Sequence, residues 1–204
     1  MRKIAKLLLV AFIVINLIAF VKAVKAQNEL ENSLIRFHVI ANSDSEEDQS
    51  VKLAVRDAVI DYLQPMLEGI TDLNGAKEML RNQLDGIKDV ADRVLKDHGK
   101  DYFATAYLDL EAFGKRVYDT FSLPSGVYES LLIKLGEAEG KNWWCVVFPS
   151  LCLASCQEDF QDVAASGGLD SEITDTLTGK SGYEFRFFFM DCFGKLERYF
   201  YKKS

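Results

Sequence analysis

Two histidines and four cysteines are the residues of this chain best suited to nucleophilic catalysis. His38 lies in an apolar stretch and Cys145 in an aromatic one, so both are expected on strands and could form a Cys–His dyad. The spacing gives that pairing no support, and cysteines of exported proteins usually form disulfides. The sequence also lacks the Gly-x-Ser-x-Gly, His-Glu-x-x-His and phosphate-loop motifs. A hydrolase that uses His38 or Cys145 is therefore kept only as the alternative function.

Three acidic residues alternate between Asp44 and Asp48, like the first ligands of a calcium-binding loop. The sixth position of such a loop would be Gln49 where glycine is needed, and the twelfth would be Val55 where glutamate is needed. We expect instead that Asp44 or Ser45 caps a helix, with the acidic residues complementing the positive end of its dipole. No cysteine and histidine spacing suggests zinc. The sequence therefore predicts no metal and no cofactor.

An aromatic cluster surrounds Cys145, with Trp143 and Trp144 before it and Phe148 and Pro149 after it. Neighbouring residues of a strand point to opposite faces of a sheet, so the two tryptophans must do so as well. One can sit in the core, while the other packs beneath a helix or forms an exposed anchor. Exposed tryptophans are favoured at binding hot spots, and burial of both rings is the alternative.

Hydrophobic periodicity predicts the elements that hold these residues. A strand at 34–40 is followed by a helix from about residue 51 that ends at Pro65, and by a second helix at 74–98 that ends at Gly99. Period-two patterns then predict further strands. These strands lie at 102–110, 116–121, 127–135, 143–148 and 183–190. The Gly-, Ser- and Thr-rich residues 166–182 are expected to form a mobile connection. This order indicates an α+β fold, a single domain in which two long helices pack on one face of a mixed or antiparallel sheet.

The first 26 residues have the composition of an export signal. Three basic residues precede an apolar run at 7–21, and Val-Lys-Ala then occurs twice, ending at Ala23 and Ala26. The run is shorter than the roughly 20 residues that span a bilayer as a helix. A cleaved signal peptide at 1–26 is therefore preferred over an uncleaved anchor. Basic residues retained inside direct the remainder, a single domain at 27–204, outward.

The net charge of the chain is −7, and positions 1–26 hold five basic residues and no acidic one, so the remainder carries −12. Such a domain is repelled by phosphate backbones and by anionic lipid surfaces. We therefore expect the mature part neither to bind nucleic acid nor to adhere to membranes.

An even number of cysteines outside the cytoplasm permits disulfides, and four cysteines allow three pairings. Cys145 and Cys152 flank Pro149 and are close enough for a bridge if the chain turns there. They are the disulfide candidate. Four cysteines in so large a domain are not a dense scaffold, so the core must hold the fold.

Two blocks of sequence carry a resemblance to a known family. The first is IRFHVIANSD at 35–44, followed by DQ at 48–49 and KLAVRD at 52–57. The second is YESL at 128–131, followed by GEAEGKNWWCVVFP at 136–149. In these blocks and their order the chain resembles the stage II sporulation protein R family of endospore-forming bacteria. Residues 153–204 lie outside the resemblance.

The resemblance implies a signalling role rather than an enzyme. Members are made in the forespore and exported into the space between the forespore and mother-cell membranes. There they trigger a membrane-embedded aspartic protease, which cuts the inactive sigma-E precursor. That protease is the implied partner, with no nucleic acid and no small-molecule substrate. The partner-facing surface is expected at 36–48 and 143–152. The candidate contact residues are Arg36, His38, Asn42, Ser43, Asp44, Trp143 and Trp144.

Overall fold

A computed structural model of the chain describes residues 2–118, 120–150, 160–179 and 184–202. In chain order the elements are α1 (Arg2–Glu31), β1 (Ile35–Ile40), α2 (Glu46–Leu67), α3 (Leu73–Asn82), α4 (Leu84–Asp97), β2 (Ala104–Phe113), β3 (Arg116–Val117), β4 (Ser122–Leu123), β5 (Gly126–Leu135), β6 (Asn142–Phe148), α5 (Phe160–Ser166), α6 (Ser171–Leu177) and α7 (Glu184–Tyr201).

Contacts divide the chain into two compact units. The sheet unit comprises Asn32–Glu111 and Tyr128–Leu169. The terminal unit comprises Met1–Glu31, Ala112–Val127 and Asp170–Ser204.

The sheet has four strands in the order β2-β5-β1-β6. β1 is parallel to β5 and antiparallel to β6, so the sheet is mixed. Ile35, Phe37 and Val39 of β1 are fully buried in one core with the apolar sides of α2, α3 and α4. The predicted α+β class, with helices on one face of a mixed sheet, is confirmed.

The first predicted helix differs from α2 at its end. Ser45 is the N-terminal cap, because its Oγ accepts a hydrogen bond from the Asp48 amide at 3.1 Å. The prediction that the helix ends at Pro65 is wrong, since α2 continues to Leu67. Pro65 lies in the last turn, where its missing amide removes one backbone bond, while the buried side chains of Leu63 and Leu67 hold that turn against the core.

The second predicted helix, at 74–98, is two helices. The break falls at Gln83, whose φ of −103° and ψ of 3° depart from helical values. Tyr62 donates a 2.7 Å hydrogen bond to Gln83 Oε1 there. The apolar positions of α3 and α4 keep the same spacing across the break, so periodicity alone could not show it. Gly99 ends α4 with a φ of +70°, as predicted.

The terminal unit contains the elements that the sequence patterns predicted least well. Among the described residues of the strand predicted at 116–121, only β3 forms, and it pairs with β4 in a two-residue antiparallel ladder. Residues 184–190 of the strand predicted at 183–190 are the first half of α7, and residue 183 lies outside the described residues. An aromatic run of this length suits either structure, and burial of Met190 and Gly194 along one side of α7 favours the helix. Within the predicted connection at 166–182, residues Ser171–Leu177 form α6, capped by Asp170.

The C-terminal third of α1 belongs to the core of the terminal unit, where α1 contacts α7. Ala23, Ala26, Gln27 and Leu30 are each no more than 1% exposed. Gln27 Nε2 donates to the Ser125 carbonyl at 3.1 Å, and the Ser125 amide donates to Asp191 Oδ1 on α7 at 2.9 Å. Ser125 thus joins the two helices through its backbone.

Candidate functional site

A polar cluster lies on the face of β1 opposite the helices. His38 alternates with the core residues Phe37 and Val39, so its side chain is on the other face. Its Nδ1 is 3.0 Å from Glu111 Oε1, and its Nε2 is 2.9 Å from Asn142 Oδ1. The Trp144 ring stacks on the imidazole at 5.5 Å. Both ring nitrogens of His38 are therefore engaged inside the protein.

Glu111 is held ionised in this cluster. Burial alone would raise the pKa of its carboxyl, but the hydrogen bond with His38 and the charge of Lys134 hold that pKa below its usual value. Glu111 could not be predicted from local sequence, because its contact with His38 joins positions far apart in the chain.

Arg36 lies on the same face and is fully buried. Its Nε donates to the Cys145 carbonyl at 3.2 Å, and its guanidinium lies 5.4 Å from the centre of the Tyr128 ring. These contacts offset part of the cost of burying the cation. Arg36 therefore joins strands from within and presents no exposed surface.

The turn after β1 is held to the start of α2 by side chains. Asn42 Nδ2 and Ser43 Oγ donate to Asp48 Oδ2 at 2.9 and 2.6 Å. Asp44 Oδ1 accepts the Lys141 amide at 2.7 Å. The carboxylate of Asp44 thus bonds across to the loop before β6, and its exposed residue position leaves it accessible to a partner.

Asp48 is the centre of this network and is only 5% exposed. Its Oδ1 accepts the Tyr102 hydroxyl at 2.8 Å and lies 2.9 Å from Lys100 Nζ. The hydrogen bond from Ser43, followed by those from Asn42, Lys100 and Tyr102, outweighs burial and holds the pKa of Asp48 well below its usual range. Sequence reasoning assigned Asp48 only to the helix dipole, and no local pattern points to Lys100 or Tyr102.

The loop between β5 and β6 is bonded directly to the turn after β1. The Glu137 amide donates to Asn42 Oδ1 at 3.0 Å, and the Glu139 amide donates to the Asn42 carbonyl at 3.1 Å. Gly140 lies so close that an added Cβ would be 2.2 Å from the Ser43 carbonyl oxygen. Only glycine permits this approach.

The two loops and the first turn of α2 together carry exposed acidic residues, which we call the loop surface. It is defined by Asp44, Glu46, Glu47, Glu137 and Glu139, of which Glu47 lies 3.1 Å from Lys100 Nζ. The hydrogen bonds between the loops hold the backbone that carries these side chains in one conformation. The loop surface can therefore offer a preorganised set of carboxylates to a basic partner.

The two tryptophans lie on opposite faces of the sheet, as expected of strand neighbours. Trp143 packs edge-on against Phe37 at 5.6 Å, with Arg56 4.9 Å above its ring. Trp144 stacks on His38. Both residues are half-buried, so neither is fully withdrawn from a partner.

The structure does not form the alternative Cys–His dyad. In the β1–β6 register Cys145 is opposite Phe37, whereas His38 is opposite Trp144. Adjacent register positions point to opposite faces, so the side chains of His38 and Cys145 are separated by the sheet. Cys145 is buried, and its disulfide candidate Cys152 lies outside the described residues.

Comparison with known proteins identifies related sequences. The family described as stage II sporulation protein R matches residues 31–158. Over 167 residues the chain is 31% identical to Stage II sporulation protein R of Bacillus subtilis (strain 168), an alignment that covers 78% of this chain and 75% of that protein. No solved structure matches the chain. The matched range contains the polar cluster and the whole loop surface.

Proposed function

This chain belongs to the stage II sporulation protein R family, and we propose that it is an exported signal that activates a membrane-embedded aspartic protease, which then cuts the sigma-E precursor. In this proposal the protein is made in the forespore and acts in the space between the forespore and mother-cell membranes. It performs no catalysis of its own. The family match over 31–158 carries the proposal, because that range supplies the turn after β1, the loop before β6 and the strands that hold them.

The N-terminal helix supports the export step. α1 contains an apolar segment with a mean hydropathy of 2.7, long enough to cross a membrane and near the N-terminus. Its basic residues come first, which is the arrangement that leaves the N-terminus inside and sends the rest of the chain outward. The acidic remainder of the chain would then lie outside the membrane of the cell that made it.

The loop surface is the proposed contact with the protease. Asp44 is exposed, while Asn42 and Ser43 set its backbone through Asp48. Arg36 and His38 are buried, so we assign them to positioning strands β1 and β6 beneath that surface. Trp144, half-buried on His38, is the proposed apolar contact. Carboxylates together with such an apolar contact suit a receptor segment that carries basic residues.

Deletion of this chain in its sporulating host tests the proposal. We expect the sigma-E precursor to stay uncut while the protease itself is still made, and re-expression to restore cutting. Both proteins can be followed by immunoblot. Cutting at the normal level without this chain would contradict the proposal.

Purified protein separates signalling from hydrolysis. We expect no degradation of peptidoglycan or casein by the wild-type chain, and normal precursor cutting in cells carrying Cys145→Ser. Degradation that is lost in Cys145→Ser would favour the hydrolase instead.

A further inference from the structure

One unbroken helix, α1, has two different surroundings along its length. Its apolar side chains at positions 4–21 are exposed, with values between 43% for Phe20 and 73% for Leu7. From Ala23 to Leu30 the helix has a buried side in the terminal unit. The change occurs within about one turn, near Lys22.

The exposed stretch fits a lipid bilayer. Eighteen residues of helix rise about 27 Å, close to the roughly 30 Å thickness of a bilayer's hydrocarbon core. A helix whose apolar side chains are exposed on all sides has no stable place in water. The stretch holds two polar side chains, Lys6 and Asn16. Lys6 lies near its N-terminal end, where the long side chain can extend to the membrane interface. Asn16 donates to the Phe12 carbonyl at 2.8 Å, which satisfies an amide hydrogen within the helix.

The two sites at which a signal peptidase would cut lie inside the fold. Val-Lys-Ala ends at Ala23 and Ala26, which are 0% and 1% exposed. Both are helical, whereas a peptidase needs an accessible, unfolded segment. Cleavage would therefore require α1 to unwind and leave α7 and Ser125.

Cleavage after Ala26 would also remove most of the helix that the terminal unit uses. Only Gln27–Glu31 would remain of α1, and five residues are too few to form a stable helix alone. The buried Leu30 and the bond from Gln27 to the Ser125 carbonyl would lose the helix that positions them.

We propose that α1 is retained as a membrane anchor, with the bilayer covering residues 4–21 and the fold of the terminal unit protecting Ala23 and Ala26 from cleavage. The exported protein is then tethered to the membrane that it crossed. This inference concerns attachment alone and stands whether or not the receptor is the proposed protease.

The wild-type chain with a C-terminal epitope tag provides the first test, in a bacterium with an active signal peptidase. We expect one species with the mass of the uncleaved chain, resistant to alkaline carbonate extraction of the membranes. A product that begins at Val24 or Gln27 in the soluble exported fraction would overturn the proposal. So would an uncleaved chain that carbonate releases, since the bilayer would not then hold α1.

Two substitutions on α7 test whether burial is the reason for retention. A Cβ at Gly194 would lie 1.6 Å from the Ser125 carbonyl oxygen, whereas Cys192 is exposed on the same helix. Gly194→Leu should therefore displace α7 and produce the shortened species, while Cys192→Leu, the control in the same unit, should stay uncleaved. Limited proteolysis of both variants reports whether the terminal unit opened. An opened Gly194→Leu chain that remains uncleaved would show that burial does not protect the site.

Discussion

The carboxylate of Asp48 lies 2.9 Å from the Lys100 ammonium and joins the first turn of α2 to the segment between α4 and β2. The same carboxylate accepts hydrogen bonds from Ser43 and Asn42, which lie in the turn that carries Asp44 of the loop surface. One buried acid therefore connects the proposed recognition loops to the core of the sheet unit.

Replacement of Asp48 should destabilise the sheet unit. Asp48→Ala removes the acceptor of several charge-assisted hydrogen bonds, and we expect a loss of about 2 kcal/mol or more in the free energy of unfolding. Urea unfolding of the purified chain measures this loss. Glu46→Ala, at an exposed position of the same helical turn, should change stability by less than about 0.5 kcal/mol. Equal effects of the two variants would mean that the network around Asp48 contributes little.

The same acid should make stability depend on pH in the acidic range. The pKa of Asp48 is lowered from its usual value of 3.8 in the folded protein. Its contribution to the free energy of unfolding is therefore fully present above pH 3.8. The contribution is lost progressively as pH falls through the lower, folded pKa. The stability difference between wild type and Asp48→Asn should therefore be constant above about pH 5 and shrink below pH 4. A difference that stays constant down to pH 2 would show that Asp48 is not the group responsible.

Asp44 and Ser45 separate recognition from helix capping. Ser45 caps α2, so Ser45→Ala should cost about 1 kcal/mol. Asp44→Ala loses one hydrogen bond at an exposed position and should cost no more than that. If the loop surface contacts the protease, Asp44→Ala should reduce sigma-E precursor cutting far more than Ser45→Ala at similar thermal stability. Parallel losses of cutting and of melting temperature in both variants would assign Asp44 to the fold alone.

Substitution of the two tryptophans should likewise separate an effect on stability from an effect on precursor cutting. Trp143 packs with Phe37 and Arg56 on the core side, so Trp143→Ala should cost about 2–3 kcal/mol. Trp144 stacks on His38 on the other face, and we expect Trp144→Ala to reduce precursor cutting with the smaller loss of stability. Thermal unfolding and immunoblots of the same variants decide this. A more stable Trp143→Ala than Trp144→Ala would reverse the assignment of faces.

The sequence predicted those elements whose apolar residues form a short continuous run or follow a local period. β1 and most of β6 are buried without a break, while the buried residues of α2 to α4 recur at helical spacing. The class of fold followed from the order of these elements. The first half of α7 could not be assigned, because its aromatic run fits a strand or a helix and only packing near Met190 and Gly194 distinguishes them.

The candidate site could likewise be predicted only in part. Asp44 and the tryptophans were found through local motifs and resemblance. The partners that fix the site, Glu111, Lys100 and Tyr102, lie far from it in sequence. Contacts across such separations leave no periodic pattern in one sequence, so only the folded chain shows them.

The last prediction concerns the compartment in which the protein acts. A chain lacking residues 1–26, made in the forespore, should leave the sigma-E precursor uncut, because it stays on the wrong side of the membrane from the proposed receptor surface. Fusion of residues 27–204 to an unrelated cleavable signal should restore cutting, since delivery supplies the compartment and the sheet unit, which carries the loop surface, keeps all of its residues. A second form carries an unrelated membrane-spanning helix in place of residues 2–21 and so keeps Ala23 and Ala26. If this anchored form cuts more precursor than the released form, the retained anchor contributes more than delivery, because it keeps the signal near the membrane. Precursor cutting is measured by immunoblot, with equal amounts of each form verified in its fraction. Full cutting by the leaderless cytoplasmic chain would show that the signal does not need to cross a membrane.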